Sequence, residues 1–204
     1  MNESPTAASG RRRAWMVAAA AIAAGAGWSW WHQPAPPPNP TNTPGTPGAG
    51  AAASGPDRLG ADFWALSLPQ ADEQLLALRT LQGRPLLLNF WATWCPPCVR
   101  EMPLLDDFYK QMQTFGMNML GIAVDSPSPV RGFLARSPVS FPVVLAGADG
   151  SGLSRTLGNG PGGLPFTVLA DAEGNIVERQ IGELSREQLQ RWAATLRQAR
   201  PAPT

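Results

Sequence analysis

Residues 84–113, RPLLLNFWATWCPPCVREMPLLDDFYKQMQ, constrain the fold of this chain more than any other stretch. RPLLLNFWA is a short apolar and aromatic run, the pattern of a strand buried on both faces. The residues that follow, PPCVREMPLLDDFYKQMQ, carry apolar side chains at helical spacing. A buried strand that feeds directly into such a helix needs further strands beside it and further helices to cover its faces.

The downstream sequence supplies them. MNMLGIAVD reads as a second buried strand, SPVRGFLARS as a short helix opened by Ser and Pro, and FPVVLA as a third strand. PFTVLAD and IVERQIG, joined by the turn AEGN, form a hairpin. SREQLQRWAATLRQA is a closing helix with Ser185 as N-cap and Gln188 as its capping-box partner. This order predicts an α/β fold, a mixed central sheet flanked by helices. No internal repeat is visible.

Upstream, residues 32–56 are a Pro/Gly-rich linker, with almost nothing that could be buried to offset the entropy of ordering a backbone. Before it, Arg11, Arg12 and Arg13 precede an uncharged stretch, residues 14–31, of about the length that spans a bilayer. A core helix is a poor reading, since the linker follows at once. Ala24-Gly25-Ala26 resembles a signal cleavage site, whereas Trp28, Trp30 and Trp31 suit an outer membrane interface and favour an uncleaved anchor. The arginines put residues 1–13 in the cytoplasm and everything after Trp31 outside it. Of the sixteen basic and fifteen acidic residues, three and one lie in residues 1–56, which leaves thirteen against fourteen. A nearly neutral domain gives no reason to expect a nucleic-acid partner.

The chain has two cysteines, both in Trp94-Cys95-Pro96-Pro97-Cys98, where the first strand ends and the helix begins. A thiol there meets the positive end of the helix and unpaired backbone N–H groups, which favour the reactive thiolate. Cys98, one turn into the helix, can reach Cys95, so position and spacing point to reversible dithiol chemistry. A structural zinc site would need four ligands, and beyond the two cysteines there is only His32. An inert disulfide and a Cu(I)-binding thiol pair stay open on these residues alone.

LLLNFWATWCPPCVREMP and GGLPFTVLADAEGNIV resemble the thioredoxin-like thiol-disulfide oxidoreductases, in particular the membrane-anchored bacterial TlpA/ResA type. The resemblance covers about residues 57–198, with 199–204 as a tail. It implies a thioredoxin fold with a central helix-strand insertion at roughly 127–145. It also implies that Cys95 is the nucleophile and Cys98 the buried resolving thiol, their redox-active disulfide needing no cofactor and no metal. Pro103 then matches a kink-forming helix proline, and Pro165 a cis-proline opposite the disulfide. The buried carboxylate of ordinary thioredoxins is replaced by Asn89, which cannot take a proton from a thiol. In the TlpA/ResA type the substitute acid matches Glu101, and its position three residues after Cys98 on one helix side agrees.

Trp91, Phe63, Trp64 and Phe90 are expected in the core. Trp94, Pro96, Pro97 and Leu164 are expected to bind clients, Trp94 rimming and shielding the site, and Thr93 to shape docking. Oxidants of this fold often carry a His between the cysteines that stabilises the thiolate. Pro96 and Pro97 supply no such donor, so reduction of client disulfides is the expected direction, with a disulfide oxidase or isomerase, which would share every one of these residues, as the alternative. A peroxidase would need a Pro and a Thr just before the reactive Cys, which NFWATWC does not provide. The family implies clients such as apocytochrome c or copper-site proteins, a membrane thiol carrier as electron donor, and a bacterial inner-membrane location with the domain in the periplasm.

Overall fold

The computed structural model describes residues 55–199, with side chains described through Arg197. Residues 1–54, expected as a cytoplasmic segment, an anchor or signal and most of the linker, and residues 200–204 of the expected tail lie outside the described residues, while Ala199 ends the last helix. Among the described residues no helix is long and apolar enough to cross a membrane.

Strand β3, Leu86–Trp91, is central because all six of its residues can be buried, and all six are. It pairs in parallel with β4, Asn118–Ala123, and antiparallel with β6, Phe166–Ala170. β5, Val143–Leu145, adds in parallel to β4, and β7, Ile176–Ile181, adds antiparallel to β6. The mixed sheet therefore has the order β5-β4-β3-β6-β7. Side chains alternate across its two faces. Leu87 and Trp91 enter a core with α2, Pro96–Gln113, α3, Pro127–Arg136, and α5, Arg186–Ala199. Leu86, Leu88 and Phe90 enter a second core on the other face. That face is covered by Phe63 of the short helix α1, Ala61–Trp64, by Leu78 and Leu81 of a 3-10 turn, and by Leu153 of α4, Asp149–Thr156.

The expected mixed α/β order is present, with differences that have local causes. α3 opens at Pro127 after Ser126, two residues earlier than the SPVRG pattern implies; proline suits the first helical position, and Pro129 in the first turn removes an N–H with no helical partner anyway. Helix α4, which the sequence reading did not include, is built on DGSGLSRT, whose glycines and serines are poor helix formers. It forms because Leu153 packs onto the sheet while Gly150 and Ser154 fit beneath it. The small hairpin of β1, Ser67–Pro69, and β2, Leu75–Ala77, was also not anticipated, both strands being only three residues long.

α3 and β5 occupy the stretch expected as an insertion, and Asp106 of α2 ties it down by accepting the Ser140 N–H at 2.5 Å. Gly55 and Pro56, assigned by composition to the linker, already contact the domain. The Pro56 carbonyl accepts from the Arg179 guanidinium, and a Cβ on Gly55 would lie 2.7 Å from Gly158 Cα.

Candidate active site

The chain leaves the end of β3 at Trp91, turns through residues 92–94, and enters α2 with Cys95 as N-cap. Cys95 and Cys98 are joined by a disulfide, their Cα atoms 5.3 Å apart. The Cys98 N–H points at Cys95 Sγ, 3.3 Å away. Sulfur at this position therefore receives a backbone donor and the positive end of the helix, both of which stabilise a thiolate once the bond is opened. Cys95 is 4% exposed and Cys98 fully buried, so a partner reaches the first sulfur more readily than the second.

Glu101 lies one helical turn beyond Cys98 and is only 1% exposed, which rules out a solvated helix-surface role. Its Oε1 accepts from Asn89 Nδ2 at 2.8 Å, and its Oε2 accepts from the Leu184 N–H at 2.9 Å. Burial pushes its carboxyl up to about 7, against the pull of these two hydrogen bonds and with a smaller push from the charge of Glu183. A carboxyl in that range exchanges a proton near neutral pH. Asn89 also donates to Thr167 Oγ1 at 3.1 Å, across the Asn89–Thr167 register pair of β3 and β6. Its Oδ1 has no hydrogen-bond partner among the described residues. Rotating that amide by half a turn would present Oδ1 to a protonated Glu101, so an asparagine can serve both charge states of the acid where an aspartate could not.

The Leu164–Pro165 peptide bond is cis. β6 begins at Phe166 paired with Phe90, so the register carries Pro165 and Leu164 alongside the end of β3 where the Cys95 turn starts. Pro165 is buried and Leu164 half-buried, Leu164 packing against the core that includes both cysteines. Around the disulfide, Pro96 is exposed and Pro97 half-buried. Trp94 is 65% exposed; it stands at the rim but projects into solvent from the turn, so it is less of a shield than expected. Trp91, Phe63 and Phe90 are core residues, and half-buried Trp64 donates from Nε1 to the Leu59 carbonyl. Pro103 sits within α2 on its exposed side, where it removes the helical donor for the Val99 carbonyl without ending the helix.

Three contributors escaped the sequence reading. Asp125, just past β4, accepts from both the N–H and the hydroxyl of Thr93 and so fixes the turn before Cys95. Leu184 contributes its backbone N–H to Glu101, and the Arg100–Glu183 pair at 2.7 Å fastens that loop to α2. Thr167 could have been found from strand alternation, because it shares the face of Asn89; a backbone donor such as Leu184 leaves no residue-type signal.

A mixed sheet whose central strand runs into a helix capped by a disulfide-bonded CxxC pair, with a cis-proline just before the neighbouring strand, defines a thioredoxin-like protein. The Redoxin pattern matches residues 54–196, and the chain belongs to the Redoxin family. Thiol-disulfide oxidoreductase ResA of Bacillus anthracis is 35% identical over 116 residues, which is 56% of this chain and 65% of that protein. ResA of Halalkalibacterium halodurans is 31% identical over 126 residues, 61% of this chain and 69% of that protein. The chain thus spans about two thirds of the length of these relatives. Among solved structures, a thioredoxin-related protein from Neisseria meningitidis serogroup B superposes with a TM-score of 0.57 at 32% identity, covering 64% of this chain and 98% of that one.

Proposed function

We propose that the protein is a thiol-disulfide oxidoreductase that reduces disulfides of client proteins. The observation that carries this reading is the Cys95–Cys98 disulfide at the start of α2, with the buried Glu101 one turn further on and raised to about 7. In the reduced protein the Cys95 thiolate attacks a client disulfide, forming a mixed disulfide and releasing one client thiolate. Glu101 takes the proton of Cys98, and the Cys98 sulfur then attacks Cys95. The Cys95–Cys98 disulfide re-forms and the second client thiolate leaves, so two electrons pass to the client. Two electrons from a membrane thiol carrier return the protein to its dithiol.

Pro165 and Leu164 form the docking edge, and Trp94, Pro96 and Pro97 flank it. The Leu164 N–H and carbonyl have no hydrogen-bond partner among the described residues, which leaves them free to pair with an extended client strand. The arginines at 11–13 and the apolar stretch 14–31 support a single-pass inner-membrane anchor with the domain in the periplasm. Cytochrome c maturation and copper-site assembly are the processes to which such a reductase contributes.

The test is a non-reducing gel of cells carrying Cys98→Ala, which is expected to accumulate mixed disulfides between Cys95 and clients, with Cys95→Ala as control. Adducts that persist in Cys95→Ala, or none in Cys98→Ala, would overturn the assignment. The tether is checked by washing membranes with high salt and carbonate. Retention of the chain is expected, and a soluble form beginning at Gly27 would instead show cleavage after Ala26.

A further inference from the structure

Asn159 is fully buried and takes no part in the chemistry above. It stands after α4, at the start of the short loop that leads to Leu164 and Pro165. Its backbone N–H donates to the Ser154 carbonyl at 3.0 Å, and its own carbonyl accepts from the Gly162 N–H at 2.9 Å. Its Nδ2 donates to the Gly163 carbonyl at 2.9 Å and to Ser154 Oγ at 3.3 Å. Only the amide nitrogen can face a carbonyl, so the orientation of this side chain is determined. In that orientation Oδ1 is left buried and without a partner among the described residues. An unpaired buried acceptor is unfavourable, and here it accompanies the use of the amide's donors on the loop.

The loop is confined on two sides. Gly162 has φ +73°, and a Cβ there would lie 3.0 Å from Arg155 Nη2; a Cβ on Gly163 would lie 3.2 Å from Ile181 Cγ2. The Gly163 carbonyl is held toward Asn159 by the hydrogen bond from its Nδ2. In a trans peptide unit the carbonyl and the next N–H point in opposite directions. Anchoring Gly163 C=O accordingly directs the Leu164 N–H away from Asn159, and that N–H has no partner among the described residues.

We propose that Asn159 is a positioning residue for client binding: by holding the Gly163 carbonyl it aims the Leu164 N–H at a backbone carbonyl of an extended, cysteine-containing polypeptide. The inference rests on the oxidoreductase reading and narrows it to clients that present a stretch of free backbone. A disulfide without a peptide backbone gains nothing from this donor.

The test compares reduced full-length wild type, Asn159→Ala and Asn159→Asp, with folding followed by circular dichroism. Asp preserves the size of the side chain but turns oxygens toward the Gly163 carbonyl. Rate constants are measured for insulin, a protein disulfide, and for 2,2′-dithiodipyridine, which has no peptide groups. The ratio of the insulin to the dithiodipyridine rate constant is expected to fall about fivefold in both variants, the effect of one positioning hydrogen bond. An unchanged ratio overturns the proposal, and so does an equal slowing of both reactions, which would make Asn159 a general brace. A wild type that reduces neither disulfide, or a Cys95→Ala chain as fast as wild type, instead sinks the oxidoreductase reading and this inference with it.

Discussion

Glu101 has opposite effects on folding and on exchange. Its carboxyl is raised from an ordinary value of 4.5 to about 7 by burial, so the folded chain holds a proton that the unfolded chain releases between those pH values. The linkage then runs against the folded state as pH rises: stability is highest below about pH 4.5 and declines up to about pH 7, by about 3 kcal/mol at most. Asp106 behaves in the opposite sense. Burial resists its charge, but hydrogen bonds from Lys110 and Ser140 outweigh that and hold its carboxyl below the usual range, so its stabilisation is lost only as pH falls further into acid. The two contributions therefore occupy different pH windows. Glu101→Gln is expected to flatten the decline between pH 4.5 and 7 in chemical-denaturation curves of the oxidised protein. The same variant is expected to slow thiol-disulfide exchange by about a hundredfold, the lower range for losing a general base, and to lose the inflection near pH 7. Rates superimposable on wild type across pH would remove Glu101 from the proton path.

Among the elements, α5 has a start that its own sequence specifies through a reciprocal cap. The Ser185 N–H donates to Gln188 Oε1 at 2.9 Å, and the Gln188 N–H donates to Ser185 Oγ at 3.2 Å, the reciprocal pair anticipated for this helix. α5 places Leu189, Trp192, Ala193 and Leu196 in the core beneath α2, and the loop just before it supplies the Leu184 N–H to Glu101. Ser185→Ala is expected to cost about 1 kcal/mol of stability, the usual value of an N-cap, read as a lowered denaturation midpoint. Because the cap lies next to Leu184, the variant is also expected to shift the exchange inflection upward as the Leu184 donor loosens. A lowered midpoint with an unmoved inflection would show that the Arg100–Glu183 pair alone secures that loop.

For the whole molecule, the direction of electron flow depends on how strongly the fold stabilises the reduced dithiol. Cys95 receives the Cys98 N–H and the helix terminus, but Pro96 and Pro97 add no side-chain donor. A reduction potential near that of thioredoxin, ~−270 mV, is therefore expected rather than one near the oxidant DsbA, ~−120 mV. Equilibration of the purified protein with glutathione buffers measures it, and a value close to the oxidant's would reverse the assigned direction. Strand β3, helix α2, the β6–β7 hairpin, the Ser185 cap and the CxxC pair at a strand-to-helix junction were all readable from the chain, because each is set by periodicity, capping or turn chemistry within a few residues. Resemblance to known proteins added the cis bond at Pro165 and the acid at Glu101, which local pattern alone did not establish. The tertiary structure decided what those side chains meet. Glu101 is an acid near neutrality only because packing between elements buries it, against the pull of the hydrogen bonds from Asn89 and the Leu184 N–H. Thr93 is fixed by Asp125 at the end of the next strand, thirty-two residues further along the chain. Such contacts depend on which faces of the sheet and helices pack together, and no pattern of neighbouring residues encodes them.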